Sequence, residues 1–172
     1  MALRPIVMYP EPVLLRPCPP VRAFDDELRR LAGEMLETMY AAGGVGLAAN
    51  QVGVPLQLLV IDVTAGSDPG ARVVACNPEI VLEDGEQAGE EGCLSLPGIV
   101  ETIRRPLRVR VRFARVDDGA AAEGTGEGLL ARVWCHEVDH LRGRTILDRV
   151  SNLRRALLKQ RIRRLVKEGS WG

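Results

Sequence analysis

Aromatic side chains make up only 3% of the 172 residues, so a base-stacking platform for single-stranded nucleic acid is excluded. Net charge is absent as well. Lys+Arg and Asp+Glu each total 23, which gives overall charge no reason to recruit DNA. No apolar run approaches the ~18–20 residues that a membrane-spanning helix needs. The opening MALRPIVMYPEP lacks the apolar stretch of a secretory signal, and its early prolines break an amphipathic transit helix. The cysteines, Cys18, Cys76, Cys93 and Cys135, include no C-x-x-C pair, which removes zinc ribbons and thioredoxin-like redox motifs. Without an export signal they are expected to be reduced, with Cys18 and Cys76 as small buried hydrophobes. The expectation is a soluble, cytoplasmic protein with neither a membrane nor DNA as partner.

What is present is ordinary globular composition, 46% hydrophobic and 27% charged, and residues 1–172 are read as one domain with a real core. Charge is distributed unevenly. From Ser151 to Gly172 stand seven bases and one acid, a local excess of +6, so the first 150 residues carry the opposite excess. Glu79, Glu83, Asp84, Glu86, Glu90 and Glu91 form an acidic stretch, and Gly66-Ser67-Asp68-Pro69-Gly70 reads as a surface turn.

Three helices are predicted. Leu28, Leu31, Met35, Leu36 and Met39 recur at helical spacing between Asp25 and Tyr40, with Asp25 or Asp26 as cap and Gly43-Gly44 as stop. A second helix runs from about Glu127 to Leu141, ended by Gly143. The third, within residues 151–168, starts at Ser151 or Asn152. It places Leu153, Leu157, Leu158, Ile162, Leu165 and Val166 on one side and its bases on the other. Strands are expected at Leu56–Val63, Val73–Cys76, Ile80–Leu82 and Leu107–Val116. In the last, Leu107, Val109, Val111 and Phe113 alternate with Arg108, Arg110 and Arg112, which puts the arginines in water. The fold class is α+β: mixed or antiparallel strands around a central metal-binding helix, with a further helix towards each terminus.

The chemistry concentrates in Trp134-Cys135-His136-Glu137-Val138-Asp139-His140. The only two histidines sit four apart on a predicted helix, so both imidazoles share a face and can converge on one metal ion. Glu137 then reaches a metal-activated water as general base, and Leu129 and Val133 continue an apolar wall along the same stripe. A third ligand is expected from a carboxylate, Cys93 or Cys135. One helical residue turns a side chain by roughly 100°, so Cys135 points away from the shared histidine face. Cys93 lies in Glu91-Gly92-Cys93-Leu94-Ser95-Leu96-Pro97-Gly98, where Gly92 and Pro97 bracket a short extended segment whose backbone N–H groups could face a substrate. Asp139 is read as a buried ion-pair residue, with Arg132 as candidate partner.

Upstream lies Gly43-Gly44-Val45-Gly46-Leu47-Ala48-Ala49-Asn50-Gln51-Val52-Gly53. It is neither a dinucleotide fingerprint, since a helix and not a strand precedes it, nor a phosphate loop, since no Gly-Lys-Ser/Thr follows. Either it is a helix stop followed by a turn, or its glycines allow close approach to a ligand with Gln51 as an uncharged donor.

Together these segments resemble the peptide deformylases, whose pattern is G-x-G-x-A-A-x-Q, then E-G-C-L-S, then H-E-x-D-H. Here it reads Gly44 to Gln51, Glu91 to Ser95 and His136 to His140, and the similarity covers nearly the whole chain. The resemblance implies removal of the formyl group from N-formylmethionine at the start of nascent polypeptides. It implies Cys93, His136 and His140 as ligands of one divalent metal ion, usually Fe(II) with Zn, Ni or Co able to replace it. It also implies Glu137 as catalytic carboxylate, and Gln51 and the backbone N–H of Leu94 as holders of the formyl oxygen. Gly46 would bind substrate backbone, while Val45, Leu129, Val133 and His136 would line the methionine pocket. The basic last helix would dock near the ribosomal exit tunnel, against the plainer reading of a solvated face. Two positions depart from the family: Cys135 stands where relatives commonly have Gln, and Leu96 to Glu101 lacks an Arg that some members carry. A structural zinc closed by Cys93, Cys135, His136 and His140, or a metallopeptidase, are the competing readings.

Overall fold

The computed structural model describes residues 2–172. Its helices are α1 (Asp26–Ala41), α2 (Leu129–Leu141) and α3 (Asn152–Lys167), each within two residues of the sequence-based start. The caps are those expected: Asp25 accepts the Leu28 N–H, and Ser151 accepts the Arg154 N–H. Among the described residues are seven strands: β1 (Gly46–Ala48), β2 (Leu58–Ile61), β3 (Val73–Asp84), β4 (Gln87–Cys93), β5 (Leu96–Arg105), β6 (Arg108–Arg115) and β7 (Ala121–Glu127). They form a five-stranded sheet in the order β1-β2-β3-β6-β7 and a separate β4–β5 hairpin, with every pairing antiparallel. The architecture is the expected α+β one.

The apolar run of β2 has a simple cause. Leu59 and Ile61 point into a core shared with Val133, Trp134 and Val138 of α2, whereas Leu58 and Val60 point into a core shared with Leu28, Met35 and Met39 of α1. A strand covered on both faces has no side that can afford polar residues. β6, likewise one strand in from an edge, keeps the alternation: Val109 and Val111 are buried and Arg108, Arg110 and Arg112 exposed. Those arginines need no ligand, and two of them meet carboxylates on neighbouring strands. Arg108 pairs with Asp84 and Glu127, and Arg112 with Glu123.

Two strand expectations need correction. Val73–Cys76 and Ile80–Leu82 belong to one strand, β3, whose pairing with β6 shifts register between Cys76 and Glu79 and again between Ile80 and Leu82. Asn77 sits at the first irregularity with φ +52, its side chain holding both backbone groups of Val21 at 2.7 and 3.0 Å. The segment around Cys93 is not a single extended piece. β4 ends at Cys93, Leu94 and Ser95 make the turn, and β5 begins at Leu96.

A third core lies under this hairpin, where Leu96, Ile99 and Ile103 meet Ile146, Leu147, Leu158 and Ile162. The six apolar residues expected along one side of α3 are therefore only partly buried. Leu158 and Ile162 are covered, while Leu153, Leu157 and Val166 remain exposed, because the hairpin is narrow and meets only one seam of the helix.

Candidate metal centre

α2 is the most enclosed of the three α-helices. Every residue from Ala131 to Leu141 is buried, with β1, β2 and β7 packed against it. Its N-terminus follows Gly128 (φ +58), which lets the chain turn directly from β7 into the helix. The i, i+4 spacing brings His136 Nε2 to within 3.2 Å of His140 Nε2, and the hairpin delivers Cys93 Sγ to 3.3 Å from His140 Nε2. All three ligand atoms lie within 4.8 Å of one another. A tetrahedral centre with bonds of about 2.0–2.3 Å has edges of roughly 3.3–3.7 Å, so the three donors suit a divalent cation. His140 Nδ1 is buried without a partner, and burial holds its ring well below the usual histidine pKa, so the ring stays neutral and one of its nitrogens can offer a lone pair. The trio is the group of His, Cys, Asp and Glu found to be so arranged among the described residues. Cys135 is buried instead among Leu59, Val109 and Val111, its thiol pushed up to about 11 by desolvation.

Glu137 stands beside this trio. It is 3% exposed, its Oε2 has no partner, and burial raises its pKa to about 7. A carboxyl poised near neutrality can both accept and return a proton. β1 lies directly on it: a Cβ at Gly46 would collide with Glu137 Oε1 and come within 2.8 Å of Val133 Cγ1. The glycine-rich segment thus does two jobs. Gly43 ends α1 with φ +69, and Gly46 lets a strand pass flush against the carboxylate.

Gln51 is carried by the tight turn after β1. Its Oε1 accepts the Ala48 N–H at 2.9 Å, and its Nε2 lies 3.6 Å from Cys93 Sγ. A cleft of about 470 Å³ opens over the trio, in the range of small-molecule sites. Val45, Gly46, Gln51, Cys93, Leu94, Leu129, Val133, His136 and Glu137 all line it, while His140 lies fully buried beside His136. The residues expected to form the site are all brought together.

Sequence reasoning missed the charged scaffold behind the ligands. Glu91, 5% exposed, accepts from Arg105 Nε and Nη2, from Arg132 Nη1 and from His136 Nδ1, at 2.8–3.0 Å. Burial alone would raise its pKa, but the hydrogen bonds from Arg105 and His136 outweigh this and hold it at about 2. An ionised Glu91 therefore orients the His136 ring and keeps its proton on Nδ1, leaving Nε2 for a cation. Asp139 is a buried ion-pair residue as expected, but its partner is not Arg132. It receives Arg105 Nη1 at 2.7 Å and Arg149 at 2.5–2.8 Å, while Arg132 turns to Glu91 and the carbonyls of Gly89 and Ile103. Seven residues along a helix is about 10.5 Å, too far for a direct pair, so partners come from the hairpin and the turn before α3. Only the presence of Glu91 in the E-G-C-L-S segment signalled that it mattered. Arg105 carried no signal.

A Cys-His-His trio, with Cys93 part-exposed and His140 fully buried, beside a protonatable carboxylate at the foot of a cleft is the site type of a metallohydrolase. Comparison with known proteins supplies the family. Residues 3–156 match the polypeptide deformylase family model. The chain is 47% identical to a peptide deformylase of Acidobacterium capsulatum over 171 residues, covering 99% of this chain and 100% of that one. With the relative from Alkalilimnicola ehrlichii the identity is 44%, covering 98% and 94%. The crystal structure of the Legionella pneumophila peptide deformylase superposes with a TM-score of 0.90 at 40% identity, covering 99% of both chains. That from Thermus thermophilus gives 0.88 at 39%, covering 96% and 97%. The chain belongs to the polypeptide deformylase family and is an enzyme.

Proposed function

We propose that residues 1–172 act as one catalytic domain that removes the formyl group from the N-terminal formylmethionine of nascent polypeptides, releasing formate. The observation that carries this reading is Glu137, buried with its Oε2 unpartnered at the edge of the Cys93–His136–His140 trio where the apolar cleft ends. A divalent cation held by those three residues, Fe(II) natively with Zn, Ni or Co as substitutes, supplies a Lewis acid and a water acidic enough to ionise near neutral pH.

The chain's own groups do the rest. Val45, Leu129, Val133 and the His136 ring receive the methionine side chain, and the backbone of Gly46 holds the substrate backbone. Gln51 Nε2–H and the Leu94 backbone N–H meet the negative charge that grows on the formyl oxygen, where one such donor is worth roughly 2.7–4 kcal/mol. Glu137 takes a proton from the attacking water and returns it to the departing nitrogen as the formyl C–N bond breaks, which leaves formate and a free amine. Glu91 holds the His136 ring still throughout.

Formate release from a formyl-Met peptide is the test, repeated with Glu137→Ala. Steady release by the parent and loss of it in the variant is expected. Amino acids or shorter peptides as products would indicate a peptidase instead, and no turnover a structural metal site. Rapid inactivation in air, slowed by nickel loading, would support Fe(II) on a thiolate ligand. Equal loss with both metals would speak against it. For partners, the exposed bases Arg161, Arg163 and Arg164 on α3 support docking to ribosomal RNA in the cytoplasm. Ribosome binding should fall steeply with salt, and neutralising the three should abolish it.

A further inference from the structure

The Gln51 carboxamide is gripped from two sides. Oε1 accepts the Ala48 N–H at 2.9 Å, and Nε2 donates to the Ser95 hydroxyl at 3.2 Å. Nε2 donates its second hydrogen to Cys93 Sγ at 3.6 Å, at the floor of the cleft. Ala48, Gln51 and Ser95 are all buried, so water does not compete for these bonds. The backbones are tied as well: Val7 N–H donates to Gln51 O at 2.7 Å and Tyr9 N–H to Ser95 O at 2.9 Å, so residues 7–9 clasp both at once.

A primary amide has a donor end and an acceptor end of nearly the same shape. Turned by half a rotation, Gln51 would point an oxygen at a growing oxyanion and repel it. The Ala48 N–H can only donate, so it admits only the oxygen. The Ser95 hydroxyl occupies one Nε2 hydrogen and leaves the other aimed at the reaction centre. We infer that Ser95 is a positioning residue, whose hydroxyl presets the Gln51 amide so that its second N–H, the one beside Cys93 Sγ, meets the charge developing on the substrate carbonyl oxygen. The kinetic part of this inference rests on the deformylation reading; the orientation of the amide does not.

The test uses zinc-loaded full-length protein and has two arms. By nitrogen-15 NMR, the Gln51 side-chain N–H pair should exchange slowly with solvent in the parent and Ser95→Thr proteins. In Ser95→Ala it should exchange on the order of tenfold faster. In formate release, Ser95→Ala should lower kcat on the order of tenfold with KM within about twofold, less than the roughly 10²–10³ lost on deleting a donor outright. In a Gln51→Ala background the same substitution should change kcat little, because the group it positions is gone. Ser95→Cys, close in size and a poor acceptor, provides the same readings should the alanine variant fold badly. Unchanged amide exchange, or an equal loss in both backgrounds, would overturn the inference. A faster-exchanging amide in a protein that releases no formate would keep the positioning of Gln51 and remove the deformylation reading.

Discussion

α2 and α3 are helices of similar length with opposite logic. α2 is hidden along Ala131–Leu141 although it holds Arg132, His136, Glu137, Asp139 and His140. α3 is apolar enough in sequence to suggest a packed face, yet only Leu158 and Ile162 are covered. Polarity did not decide which helix was buried. The charged groups of α2 are tolerated because nearly each has a partner: Asp139 has Arg105 and Arg149, Arg132 has Glu91, and His136 has Glu91. The exceptions, Glu137 Oε2 and His140 Nδ1, lie at the candidate metal centre. On α3 the cost of exposing leucines is small, and helix formation rests on capping, propensity and one seam of contacts.

The contrast can be broken at several points. The largest effect should come from Glu137→Gln, which keeps the volume but not the proton transfer. kcat should fall by roughly 10²–10⁴ with metal content retained, as read by formate release and elemental analysis. His140→Ala should instead lose the metal itself, and activity with it, since two ligands hold a divalent ion poorly. Arg105→Met leaves Glu91 and Asp139 buried with fewer partners and should cost about 3–5 kcal/mol in denaturant unfolding. On α3, Ile162→Ala opens a cavity beneath the hairpin and should cost about 2–5 kcal/mol, whereas Leu153→Gln on the exposed side should stay within about 0.5 kcal/mol. Equal costs for those last two would mean that α3 is buried in solution against something further.

The helices were legible because their signals are local: Asp25 and Ser151 as caps, Gly43 and Gly143 as stops, and apolar spacing between. β4 and β7 were not. Gln87-Ala88-Gly89-Glu90-Glu91-Gly92-Cys93 and Ala121-Ala122-Glu123-Gly124-Thr125-Gly126-Glu127 are poor in β-branched residues and carry two glycines each. Such segments become strands because β5 and β6 offer them a ladder. Gly124 and Gly126 also sit where Trp134 of α2 leaves little room for a side chain.

The metal trio divides in the same way. His136, Glu137 and His140 could be read from one stretch, because helical periodicity alone puts the two imidazoles on one face. Cys93, on a separate hairpin, had spacing and resemblance but no local rule. The sequence by itself determined the chemistry available: which side chains can bind a cation, carry a proton or offer an N–H. Only tertiary structure decided that Cys93 closes the trio, that Glu91 and not Asp139 steers His136, and that Gly46 lies flush against Glu137. Those are contacts between segments tens of residues apart, and chain periodicity carries no information about which distant partner will fill a buried polar group's last hydrogen bond.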